Sequence, residues 1–173
     1  MAIAVPYFKT PKELVEWMCT KLIRVDTPKL APNDFNSIPT LETNHISGLE
    51  ACMLEYNILT KLGYNCSMLY VRDTGNKCRH IAVIYFTPDD NRWNWFEWDW
   101  IRYAGIHSYA SKDKLIDKVT TLVRDEVCDE VITSEGVVIP GASTYSGTYY
   151  KDMSERWKKV RRPECLSLLS LLS

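Results

Sequence analysis

Arg79-His80-Ile81-Ala82-Val83-Ile84-Tyr85-Phe86, then Pro88-Asp89-Asp90-Asn91, then Arg92-Trp93-Asn94-Trp95-Phe96-Glu97-Trp98-Asp99 is the stretch that decides the fold. Two apolar, β-branched and aromatic runs flank four turn formers, the pattern of an antiparallel hairpin. Side chains alternate along a strand. His80, Ala82, Ile84 and Phe86 therefore share one face, as do Trp93, Trp95, Glu97 and Asp99. Pairing about the turn puts His80 opposite residues 97 to 99, within reach of Glu97 or Asp99. An acid there fixes the imidazole tautomer and stabilises its charged form. A cross-strand pair at a sheet rim, with no chemistry, has the same appearance.

Working outward, residues 65 to 72 form a third strand, joined to the hairpin through Asp73-Thr74-Gly75-Asn76. Short connections of this kind make antiparallel neighbours. Before it, Ser47 and Glu50 form a capping box that opens a helix from Gly48 to Leu62, with Gly63 as its stop. Thr10-Pro11-Lys12-Glu13 opens an earlier helix, and Leu14, Met18 and Leu22 recur along it at helical spacing. Residues 27 to 44 hold three prolines and read as a long crossing loop. Ser111 caps a further amphipathic helix carrying Leu115, Val119, Leu122 and Val123. Residues 136 to 150 read as a loop or an edge hairpin, and 152 to 160 as a short polar helix. The expectation is an α+β domain, a core helix packed on an antiparallel sheet.

The chain has 173 residues, 46% apolar and 25% charged, with a net charge of -1. That is enough for one domain with a proper core. Nothing in the charge advertises nucleic acid or an anionic membrane as partner. The basic cluster Lys158-Lys159 with Arg161-Arg162 is flanked by Glu155 and Glu164 and reads as a solvated surface. The opening residues, Met1 to Pro6, lack the charged lead and apolar core of a signal peptide. No apolar run is long enough to span a bilayer. Six cysteines then read as reduced thiols, and the expected location is the cytoplasm. The tail from Leu166 to Ser173 is apolar but short.

Cys52, on the helix that Ser47 opens, completes a set with His80 and Glu97. Thiol, imidazole and acid in that order can make a nucleophile, a base and an orienting group. A thiol at a helix N-terminus meets unpaired N–H groups that favour thiolate and can hold an oxyanion. Cys52, however, lies one turn deeper than the strongest point of that field, and Gly48 stands one turn earlier on the same face. Core packing is the commoner role of a cysteine on an apolar helix. A metal reading is also open. Cys78 and His80 share a strand face near Cys66, but no Cys-x-x-Cys knuckle supports a zinc site, and the expectation is no metal and no cofactor.

These segments resemble the transglutaminase-like superfamily of papain-fold cysteine enzymes. The matching pieces are Leu62-Gly63-Tyr64 at the end of the core helix, His80-Ile81-Ala82-Val83-Ile84-Tyr85, and Trp93-Asn94-Trp95-Phe96-Glu97. Trp95-Phe96-Glu97 followed by Tyr103-Ala104-Gly105-Ile106-His107 is similar to small transglutaminase-like proteins of bacteria and their phages. The likeness spans residues 40 to 125 of a single domain, 1 to 173, with 126 to 173 as a C-terminal extension. It implies His80 as base, Glu97 as orienting acid and Asp99 as the alternative acid. Ser47 and Gly48 would frame the oxyanion region. Counting back from Gly63 puts the family's nucleophile at or near Gly48. Three explanations stay open: a helix one turn shorter with Cys52 reactive, a site that has lost its nucleophile, or a nucleophile removed to trap a complex. The implied activity is hydrolysis or acyl transfer on a carboxamide or peptide bond. The alternative is an inactive member that binds a protein or peptide partner.

Overall fold

The computed structural model describes residues 3–25, 40–41, 44–75, 78–138 and 150–161. The elements in chain order are β1 (Ile3–Ala4), α1 (Pro11–Lys21), β2 (Ile23–Arg24), β3 (Thr40–Leu41), β4 (His45–Ile46), α2 (Gly48–Lys61), β5 (Asn65–Asp73), β6 (Cys78–Thr87), β7 (Arg92–Glu97), β8 (Gly105–Tyr109), α3 (Lys112–Glu126), β9 (Glu130–Val138) and β10 (Tyr150–Arg161). The main sheet has six strands in the order β10-β9-β5-β6-β7-β8, and every neighbouring pair is antiparallel. Short strands β1 and β3 pair antiparallel, and β2 and β4 pair parallel. The architecture is α+β, as expected from the sequence.

The hairpin register falls where the turn sets it, with Thr87 opposite Arg92 and Val83 opposite Phe96. The alternation then sorts the core into two layers. Ile81, Val83, Tyr85, Met68, Tyr70, Phe96 and Trp98 pack with α1 and α2 on one face. Ala82, Ile84, Leu69, Val71, Trp95 and Val131 pack with Leu115, Val119, Leu122 and Val123 of α3 on the other. The sheet is thus covered on both faces, with the first two helices on one side and the third on the opposite side.

The caps read in the sequence are present. Thr10 accepts from the Glu13 N–H, and Ser111 from the Lys114 N–H. At α2, the Glu50 N–H donates to Ser47 Oγ at 3.3 Å and the Ser47 N–H to Glu50 Oε2 at 2.6 Å. Gly63 ends α2 with φ +91°, a left-handed conformation that side chains disfavour. The Tyr64 N–H closes the end on the Leu59 carbonyl at 3.1 Å.

Three expectations change. The strand starting at Arg92 stops at Glu97 rather than continuing through Asp99, because Glu97 Oε1 accepts from the Trp100 N–H and folds the chain back. The segment read as a polar helix at 152 to 160 is strand β10, drawn into the sheet by β9. Residues 139 to 149 of the 136–150 segment, read as a loop or an edge hairpin, lie outside the described residues, and the strands flanking them pair with Tyr150 opposite Val138. Strands β8 and β9 extend the sheet beyond the three strands expected. Most of the 27–44 crossing and the whole 166–173 tail lie outside the described residues. No described helix is long and apolar enough to cross a membrane.

Candidate functional site

Glu97 is the centre of the constellation. It is 2% exposed, and three donors aim at its carboxylate. His80 Nε2 lies 2.9 Å from Oε2, Trp95 Nε1 3.0 Å from the same oxygen, and the Trp100 N–H 2.7 Å from Oε1. The indole and the amide can only donate, so the carboxylate acts as acceptor throughout and His80 presents its Nε2–H. Neutral His80 therefore carries its bare nitrogen at Nδ1. Burial without that triple contact would leave a costly isolated charge.

Aromatic rings enclose the pair. Trp100 lies 5.2 Å from the His80 ring, and Tyr103 packs edge-on to Trp100 at 4.7 Å. Trp95 stacks on His107 of β8 at 4.8 Å, with Trp95 and His107 opposite in register. The 3-10 turn Ile101–Tyr103 brings Tyr103 to α3, where its hydroxyl donates to Glu126. Ile101 at the crest of that turn is 81% exposed.

Cys52 is elsewhere. The helix begins at Gly48 with both capping-box bonds made, so α2 is not a turn shorter and Cys52 stands in its second turn. The residue is 2% exposed and belongs to the α1–α2 layer. Its thiol donates to the Ile81 carbonyl at 3.3 Å. His80 shares the face of Ala82, Ile84 and Trp95, the α3 side. The backbone of β6 therefore runs between the thiol and the imidazole. Burial pushes the Cys52 thiol well above its ordinary range, and the negative charges of Glu55, Glu97 and Asp99 push the same way. Each cause favours the neutral thiol over the nucleophilic thiolate.

Asp99 does not join His80. Its carboxylate turns to the start of α2 and is held by Arg24, whose Nε lies 2.9 Å from Oδ1. A β-carbon at position 48 would fall 2.6 Å from Asp99 Oδ2 and 2.9 Å from its Cγ. Any side chain there meets the acid, so the glycine and the aspartate share one space. The structure thus brings His80 to Glu97, and Asp99 to Gly48 beside Ser47, but leaves Cys52 apart from both groups.

Arg24, Trp95 and the Trp100 N–H were not expected at the site. Trp95 was legible, since it lies two residues before Glu97 on the same strand face. Arg24 comes from a distant segment and left no local signal. The residues of the metal reading are engaged separately: Cys78 with the His80 carbonyl, Cys66 with the Tyr64 carbonyl, and the His80 ring with Glu97. Burial pushes the Cys66 thiol up to about 12. Among the described residues no three His, Cys, Asp or Glu side chains gather at metal-binding range.

Compared with family models, with curated proteins and with solved structures, the chain has no match.

Proposed function

We propose that this chain is a catalytically silent transglutaminase-like, papain-fold domain that binds a protein or peptide partner. One observation carries the reading: Cys52 and the His80–Glu97 pair lie on opposite faces of the main sheet. A thiol enzyme needs its base within hydrogen-bond reach of the sulfur. Gly48 supports the same reading, because the helix start carries no side chain and Asp99 fills the space in front of it. The acyl-transfer alternative needs Cys52 and His80 on one face.

In this reading the His80–Glu97 pair is a scaffold. It anchors Trp100 through its backbone and holds the 3-10 turn that presents Ile101 beside half-buried Trp100 and Tyr103. An apolar tip ringed by aromatics is the composition of an interface anchor. The test pairs two assays. A glutaminyl peptide with hydroxylamine should give no hydroxamate above the level of the Cys52→Ala variant. Partner binding should survive Cys52→Ala and fall at least tenfold with Ile101→Asp, the scale set by losing one buried anchor. Turnover abolished by both Cys52→Ala and His80→Ala would establish the enzyme reading instead.

A further inference from the structure

Glu55 is an acid buried in the same layer as Cys52. It stands on α2 three residues after Cys52, is 1% exposed, and its neighbours Ala51, Leu54, Ile58 and Leu59 on that helix are all buried. Its Oε2 receives no hydrogen bond from the described residues. The titratable groups that act on it are the Cys52 thiol on the same helix, Cys19 across on α1, Asp99 after the end of β7 and, from the other side of the sheet, Glu97. An ionised carboxylate in that position would be desolvated, with one oxygen receiving no hydrogen bond from the described residues.

We propose that Glu55 is a proton-operated latch: with its proton it lets α1 and α2 close on the sheet, and on losing it that layer opens and exposes the Cys52 thiol. Two observations carry it, the burial of Glu55 among the buried residues of α2 and its unmet oxygen, and neither depends on what the protein binds. Burial drives the carboxyl well above the usual carboxylate range, the negative charges of Glu97 and Asp99 add to the rise, and the neighbouring Cys52 thiol opposes it. A folded value above the unfolded one fixes the sign. The contribution is fully present below the ordinary carboxylate range and is lost as pH rises through the folded value. The latch therefore opens toward alkaline pH.

Amide hydrogen exchange tests this, read on α2 over 51 to 59 between pH 5 and 9 and corrected for the intrinsic rate. Backbone exchange does not report thiol ionisation directly, and repeating it in Cys52→Ala removes the thiol's own titration. Between the ordinary carboxylate range and the folded titration point, the open population of α2 should rise about tenfold per pH unit, the slope of a single proton, and level off above that point. It should be flat in Glu55→Gln, and α3 over 115 to 123 should stay flat in both. Should Glu55→Gln fail to fold, Glu55→Met serves, together with carbon NMR titration of the Glu55 carboxyl in the natural chain. An α2 opening that ignores pH, equal slopes with and without Glu55, a Glu55 carboxyl titrating in the ordinary range, or the same slope in α3 would each overturn the latch.

Discussion

Gly48 opens α2, and the group that stands against it is the Asp99 carboxylate. The contact makes a sharp prediction. Alanine is the better helix residue by roughly 1 kcal/mol, yet its β-carbon would meet Asp99 Oδ2, which Arg24 holds in place. Gly48→Ala should therefore cost about 1 to 2 kcal/mol by overpacking. In an Asp99→Ala background the same change should become neutral or stabilising. Urea unfolding of the four proteins in this cycle reads the coupling, and additive effects would show that glycine and aspartate do not share the space. Glu97 makes the second residue-scale prediction. A glutamine has one oxygen for three donors, and its amino group would face an N–H that has no other role. Glu97→Gln should cost about 2 kcal/mol, whereas a loss within a few tenths would mean that the His80–Glu97 contact is incidental. His80 and Glu97 were legible in the sequence because both sit in a hairpin whose register a short turn fixes. Asp99 was read as sharing the Glu97 face, but the strand ends at Glu97 because that residue's own carboxylate captures the Trp100 amide.

At the scale of elements, α2 is set by chemistry written in a few residues. Its start is the reciprocal Ser47–Glu50 pair and its end is the left-handed Gly63. Ser47→Ala should lose about 1 kcal/mol. Because this helix carries Gly48 against Asp99, the same substitution should raise hydrogen exchange in the first turn of α2 before it changes α3. Equal change in both helices would contradict that localisation. Helix boundaries were legible for this reason: caps are local. Strand β10 was not. The polar run of Lys151 to Arg161 has no apolar alternation, and its backbone becomes a strand only by pairing with the preceding β9. β8 was equally hidden, a five-residue segment held by its register with β7.

The whole molecule is a sheet between two helical layers, and the separation of those layers decides how its cysteines can react. Alternation in the sequence assigns His80 and Ile81 to opposite faces, but it does not say which helix covers which face. That assignment comes from long-range packing, so the sequence placed Cys52, His80 and Glu97 in the order of a triad while the fold divides them. The measurement that bears most directly on this is site-resolved alkylation of the folded protein, read by mass spectrometry from pH 5 to 9, in the natural chain and in His80→Ala. Cys19 and Cys78 are exposed, Cys66 and Cys128 half-buried, and Cys52 buried. Among these five, Cys19 and Cys78 should label first and Cys52 last, at a rate that follows opening of α2 rather than the state of His80. If Cys52 instead labels fastest, already at low pH, and His80→Ala slows it, thiol and imidazole form a working pair and the silent-domain account is wrong.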